Sequence, residues 1–170
     1  MREVFMKSIR IVAAVLVVAT WMGFHVANAA ALTTWSTNGA GCVPVGKFGV
    51  HVAGGAVTAG AGATVTLYCN IAPPALAVHD IEITYKGGAA QAQHVFTTSE
   101  LIELSKTTGK ETLKCGVQSK GSAIIKSESN TCNNGEMDFN HNFYYVRIVL
   151  TSGIAIGKLQ TIYGTSLTIN

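Results

Sequence analysis

Alternation of apolar and polar residues is the feature that most constrains how this 170-residue chain folds. The segment 143–151 is the clearest case, and its alternate residues form one apolar set: Tyr144, Val146, Ile148 and Leu150. The same period of two occurs in segments 64–69 and 80–86. Successive side chains of a strand point to opposite faces of a sheet, so this period predicts half-buried β-strands.

Further strands are predicted at 43–52, 93–98, 101–105, 111–117, 123–127 and 158–169, although 99–105 also fits a short helix capped by Ser99. Residues 30–41 form a polar arm, and 53–63, where nine of eleven residues are Gly or Ala, are predicted to be a connector. Short strands at roughly ten-residue spacing predict an all-β fold, an antiparallel β-sandwich or jelly roll of about eight strands.

The first 29 residues resemble a secretory signal peptide. A basic segment at 1–10 precedes an apolar run that starts at Ile11, and Ala27-Asn28-Ala29 supplies the small residues that signal peptidase requires. A membrane anchor is the alternative, but Gly23 and His25 interrupt the run, which is short for a bilayer span. We therefore expect an exported domain, residues 30–170, without a membrane span, in the periplasm or outside the cell.

Four cysteines follow the signal segment: Cys42, Cys69, Cys115 and Cys132. An even number of cysteines in an exported chain predicts two disulfides. Three connectivities are possible, and the shorter loops favour Cys42–Cys69 with Cys115–Cys132. The chain has no Cys-x-x-Cys or Cys-x-x-His spacing, so we expect no zinc site.

Composition excludes two classes of protein. Hydrophobic residues make up 48% of the chain, too many for a disordered tail. Three of its twelve basic residues and one of its nine acidic residues lie in the first ten positions, which leaves a net charge of 9 − 8 = +1 for the rest. We therefore expect no nucleic-acid partner.

The chemistry-bearing residues predict no enzyme and no cofactor. His79 is adjacent to Asp80, but neighbours on a strand point to opposite faces, and the chain has no Gly-x-Ser-x-Gly motif. In the polar segment 133–141, Glu136, Asp138 and Asn140 share one face if the segment is extended, and they offer oxygen ligands of the kind that Ca²⁺ takes. The alternative is an Asn-Gly turn leading into an edge strand, which we favour because the spacing matches no complete ligand set.

Aromatic residues are the other candidate ligand-binding groups. Most of them fall on strands with core-like alternation, where packing explains them: Tyr68, Tyr85, Tyr144, Tyr145 and Tyr163. Trp35, on the polar arm, either closes one end of the sandwich or forms a recognition ring for a sugar. We favour the first interpretation.

Four segments carry a resemblance to known proteins: 35–44 (WSTNGAGCVP), 66–69 (TLYC), 83–85 (ITY) and 143–150 (FYYVRIVL). They resemble a loose group of small exported bacterial proteins of unknown function, a similarity that implies no activity. Usher-assembled pilins are more distantly similar, since they also pair a Cys near the mature N-terminus with one some strands later. This chain differs from them in its second pair of cysteines.

Two classes of function remain. The first is a non-enzymatic exported protein with a structural, surface or adhesive role, which includes self-association. The second is a β-sandwich module that binds carbohydrate, such as a surface glycan, or calcium.

Overall fold

A computed structural model of the chain describes residues 33–45, 49–71, 77–87, 96–132, 135–153 and 159–169. The predicted signal peptide lies outside these ranges, and its boundary at residue 29 stays a prediction. In the part of the chain that is described, no helix is long and apolar enough to cross a membrane.

The described residues form an antiparallel β-sandwich of two sheets, as predicted. The strands are β1 Thr33–Asn38, β2 Val43–Val45, β3 Val50–Ala53, β4 Ala56–Ala59, β5 Thr64–Asn70, β6 Val78–Gly87, β7 Phe96–Ser105, β8 Glu111–Gln118, β9 Ser122–Thr131, β10 Asn142–Thr151 and β11 Gln160–Ile169, with a 3₁₀ turn at Gly39–Gly41. The six-stranded sheet has the order β3-β4-β11-β6-β9, and β1 also pairs with β11. The five-stranded sheet has the order β2-β5-β10-β7-β8.

The alternation that predicted β10 also determines which of its residues enter the core. Val146, Ile148 and Leu150 are fully buried between the sheets, and Tyr144 is nearly so. β10 lies at the centre of the five-stranded sheet, where it pairs with β5 on one side and β7 on the other. Its inward side chains meet those of the other sheet: Ile81, Ile83, Tyr85, Ile162 and Leu167.

The segments 43–52 and 53–63 were assigned wrongly from the sequence. The first is two strands, β2 and β3, which belong to different sheets. The second is not a connector, because Gly54 and Gly55 adopt positive φ angles of 57° and 81° and turn the chain into a β3–β4 hairpin. β4 then buries Val57 and Ala59. Together with β1, these short strands raise the number from about eight to eleven.

The other boundaries also needed correction. β7 runs without interruption from Phe96 to Ser105, so the helix proposed for 99–105 is wrong. Ser99 caps nothing; it is buried, and its hydroxyl lies 3.0 Å from the Thr165 hydroxyl of the opposite sheet. Much of the polar arm 30–41 is strand β1, paired with β11 along its whole length.

Both disulfides have the predicted connectivity. Cys42–Cys69 joins the residue before β2 to its sheet neighbour β5, over a sequence separation of 27. Cys115–Cys132 links β8 of the five-stranded sheet to the end of β9 of the six-stranded sheet, over a separation of 17. Each bond stabilises the fold by roughly 3 kcal/mol on the chain-entropy model. The second one also holds the two sheets together at one edge of the sandwich.

The buried face of β10 is tested by Val146→Asp. An unpaired carboxylate in the core should lower the free energy of unfolding by ~3 kcal/mol or more. Ile125→Asp is the control, because Ile125 is 55% exposed on edge strand β9, and it should change stability by about 0.5 kcal/mol or less. Urea unfolding measures both. Equal stability of the two variants would show that the assignment of the core face is wrong.

Candidate functional site

The two outer faces of the sandwich differ in chemistry. Strand pairing places rows of hydroxyl and charged residues across the six-stranded sheet, since residues paired in register share a face. One row is Ser36, Ser166, Glu82 and Ser129. A polar face of this kind is what an antiparallel sheet normally turns to water.

The outer face of the five-stranded sheet is apolar by comparison. It carries four large side chains that are more than half exposed: Val43 63%, Val45 56%, Leu113 59% and Phe143 57%. We call this surface the apolar face.

Two tyrosines form the middle of the apolar face. The rings of Tyr68 and Tyr145 lie 5.4 Å apart at 54°. Tyr145 is almost buried, and its hydroxyl donates a hydrogen bond to the Glu111 carboxylate. Burial, followed by the neighbouring Glu111, raises the pKa of Tyr145, so this hydroxyl stays a donor at any physiological pH.

Charged groups on this face are paired with one another. Arg147 reaches Glu100 with two nitrogens, Nε and Nη2, both 2.9 Å from the same carboxylate oxygen, Oε2. Its Nη1 lies 3.1 Å from Glu111 Oε2. Because Glu111 also accepts from Tyr145, these four side chains form one network that holds the middle of the face rigid.

A cleft of about 530 Å³ lies at one end of the apolar face, where β5 and β7 end and β10 begins. It is lined by Asn70, Ile71, Leu104, Lys106, Phe139, Asn142, Phe143, Tyr144 and Tyr145. Apolar and aromatic side chains dominate this lining, with two amides and one ammonium among them. This mixture is typical of a small-molecule site.

One wall of the cleft is the segment 137–141, which we call the 137–141 loop. Met137 is buried in the core, and the Phe139 ring packs 4.9 Å from the Tyr144 ring. The Tyr144 hydroxyl accepts from the backbone N–H of Asp138 at 3.0 Å and donates to Glu103 at 2.8 Å. The loop is therefore anchored to the sheet at both a side chain and the backbone.

Lys106 connects this loop to the aromatic rim of the cleft. Its Nζ donates to the carbonyl oxygens of Phe139 at 2.6 Å and Asn140 at 3.2 Å. The same atom lies 4.7 Å from the centroid of the Phe143 ring, within the range of a cation–π contact. Lys106 and Phe143 are thus held side by side at the mouth of the cleft.

Of the residues considered as calcium ligands, Asp138 alone has side-chain hydrogen bonds among the described residues. Glu136, Asp138 and Asn140 are all exposed, and Glu136 lies at an isolated bridge to Ala77. Asp138 Oδ1 accepts from the backbone N–H of Asn140 at 2.9 Å, and Oδ2 lies 2.6 Å from His141 Nδ1. The His141 contact, ahead of the backbone donors, lowers the pKa of Asp138. Among the described residues, no group of His, Cys, Asp and Glu is arranged to hold a metal ion.

Trp35 lies on β1 opposite Leu167 of β11, which places its ring on the inner face of the six-stranded sheet. The ring is half-buried and packs against the core. This position favours the interpretation of Trp35 as a residue that closes the core. It is far in sequence and in sheet position from the cleft-lining residues.

Sequence reasoning missed Phe143 and Lys106. The alternation of 143–151 did place Phe143 on the face opposite Val146, so the signal for an exposed aromatic ring was present. Lys106 gave no such signal, because only the pairing of β7 with β10 brings it to the ring.

The solved structures to which this chain is similar include a carbohydrate-binding module of the same fold. CsCBM6-3 from Clostridium stercorarium, in complex with cellobiose, is 9% identical with a TM-score of 0.51, over 80% of this chain and 94% of the module. The xylan-binding module CBM15 is 18% identical with a TM-score of 0.49, over 81% of this chain and 97% of the module. A family two carbohydrate esterase from Cellvibrio japonicus is 10% identical with a TM-score of 0.45, over 82% of this chain but 34% of the esterase.

No protein-family model matches the chain, and no curated protein matches it in sequence. At such low identities, the structural similarity establishes the β-sandwich fold alone.

The role of Asp138 in the loop predicts a pH-dependent effect of Asp138→Asn. The pKa of this carboxyl lies below its ordinary value of 3.8, so its charge stabilises the fold above that pH, and the contribution is lost as the pH falls through the lowered pKa. The wild type should therefore melt at a higher temperature than Asp138→Asn at neutral pH, and the difference should become smaller at an acidic pH, where the carboxyl is protonated. Calorimetry at both pH values measures this. A difference that persists in acid would mean that the carboxylate charge is not responsible.

Proposed function

We propose that this protein is a non-catalytic, exported carbohydrate-binding module whose site is the cleft together with the adjoining part of the apolar face. The observation that carries the proposal is the Phe143 ring, 57% exposed at the mouth of a cleft that also presents the amides of Asn70 and Asn142. The ring contacts the Lys106 ammonium and is still more than half exposed, so packing in the core does not account for it.

The chemistry of the cleft matches that of a sugar. A pyranose ring has apolar C–H faces and a rim of hydroxyl groups. Phe143 offers flat apolar surface for the C–H faces. Asn70 and Asn142 offer both donors and acceptors for the hydroxyl rim.

The rigidity of the site supports the same conclusion. The network of Tyr145, Arg147, Glu100 and Glu111 holds the sheet side of the site, and Tyr144 and Lys106 hold the 137–141 loop. A pre-organised site loses little entropy on binding, which matters for a ligand as weakly apolar as a sugar.

Similarity of fold adds to this support. CsCBM6-3, with which this chain shares the sandwich, was solved with cellobiose bound. The two disulfides are consistent with a protein that works outside the cytoplasm.

Two alternatives are less well supported. Calcium binding at the 137–141 loop would have to compete with the backbone N–H groups and His141 for the oxygens of Asp138.

Hydrolysis would need a nucleophile beside a histidine. The described residues contain the pairs His79–Asp80 and His141–Asp138, and neither histidine has a serine or cysteine bonded to it. A structural or adhesive role on a surface is compatible with glycan binding and needs no separate site.

The proposal is tested by affinity electrophoresis in gels that contain cellulosic, xylan, galactan or polygalacturonate polymers. At least one of them should retard the wild type, and Phe143→Ala should weaken that binding about tenfold by loss of stacking area. Ile125→Ala is the matched control, since Ile125 is similarly exposed, at 55%, but lies on β9 of the other sheet.

Both variants should keep the wild-type melting temperature, because both side chains are mostly exposed. The proposal fails if no polymer retards the wild type, or if Ile125→Ala weakens binding as much as Phe143→Ala.

A further inference from the structure

We infer that the cleft selects an acidic sugar, with Lys106 as the group that recognises the carboxylate of a uronic acid residue. The inference rests on the proposed carbohydrate-binding function and assigns the ligand class of the same site. Among the described residues, the cleft lining contains one positive charge, that of Lys106, without an acidic partner.

Lys106 is the single charged side chain in the lining of the cleft as described. The other lining residues that carry polar side chains are two asparagines and two tyrosines, which are neutral.

The neighbouring carboxylates already have partners. Glu100 and Glu111 pair with Arg147, Glu103 pairs with Lys114 at 3.5 Å, and Asp138 pairs with His141. Within the described residues, none of these acids forms an ion pair with Lys106. Its contacts are instead the two loop carbonyls and the Phe143 ring.

The geometry leaves part of the ammonium available for a ligand. A lysine ammonium has three N–H donors, and the carbonyls of Phe139 and Asn140 accept from two of them. These bonds also hold Nζ beside the exposed Phe143 ring. Because Lys106 and Phe143 line the same cleft, a sugar bound there can offer a substituent to the third donor, and a carboxylate is the substituent that a fixed cation favours most.

Matched pairs of ligands test the inference: oligogalacturonate and glucuronic-acid-substituted xylo-oligosaccharides, each with a counterpart whose carboxyl groups have been reduced to alcohols. Isothermal titration calorimetry should show that at least one acidic ligand binds the wild type about tenfold more tightly than its reduced counterpart. This preference should decrease as salt screens the charge.

Lys106→Met keeps much of the apolar stem but removes both the charge and the bonds to the loop carbonyls. Both ligands share any loss caused by the loop, so the measured quantity is the ratio of their affinities, and the roughly tenfold preference for the acidic ligand should disappear. Lys106→Arg should retain the preference, which separates the charge from the support that Lys106 gives to the loop. Lys110→Met, an exposed lysine in the nearby β7–β8 turn, is the control and should behave as the wild type.

The outcomes distinguish this inference from the function on which it rests. Equal binding of acidic and reduced ligands, or binding of neutral glycans alone, would overturn the acidic specificity and leave the carbohydrate-binding function intact. Failure of every glycan to bind would overturn both.

Discussion

The structure depends on one constraint, the two faces of strand β10, Asn142–Thr151. The strand pairs with β7 along its whole length and with β5 from Tyr145 to Thr151, and its successive side chains point to opposite faces of the sheet. Its inner side chains are buried against the six-stranded sheet and supply the centre of the core. Its outer side chains, beginning with Phe143 and Tyr145, supply the cleft and the apolar face. Because a shift of one residue would exchange the two sets, the stability of the core also fixes the position of the binding groups.

Strand β10 also positions the 137–141 loop, which forms one wall of the cleft. Tyr144 points inward at the start of the strand, and its hydroxyl bonds both to Glu103 and to the backbone of the 137–141 loop. Burial, followed by the bond to Glu103, raises the pKa of Tyr144, so the hydroxyl remains a donor to Glu103. On the other side of the strand, Phe143 meets Lys106, which bonds to the same loop. Adjacent residues of one strand therefore hold the loop and form the rim.

The sequence predicts those parts of the fold in which large apolar residues alternate, because their burial dominates the energetics of the strand. β5, β6 and β10 are of this kind, and the paired cysteines add their own constraint through loop length. β4 escaped prediction because alanine and valine beside glycine look like a linker until a neighbouring strand covers them. The continuity of β7 was missed because its inward residues Thr97 and Ser99 are polar, and their partners Gln160 and Thr165 lie on the opposite sheet.

The candidate site was less predictable than the fold, for a related reason. The sequence drew attention to Glu136, Asp138 and Asn140 because polar residues cluster there. In the structure the Asp138 carboxylate accepts from backbone N–H groups of the 137–141 loop, and Glu136 forms a backbone bridge with Ala77. Lys106 follows the last residue of β7 and Phe143 lies on β10, and only the register of β7 against β10 brings them together. Binding residues that only long-range strand pairing brings together cannot be identified from the composition of a local segment.

The most direct test of the account is a map of the surface that changes when a glycan binds. In ¹⁵N–¹H NMR spectra of the protein titrated with a retained oligosaccharide, the backbone amides of Phe143 and Tyr145 and the side-chain amides of Asn70 and Asn142 should shift together as the site saturates. The amides of β9 and of the hydroxyl rows on the six-stranded sheet should stay in place. Shifts confined to the six-stranded sheet would contradict the account, since they would place the binding site on the opposite face of the sandwich.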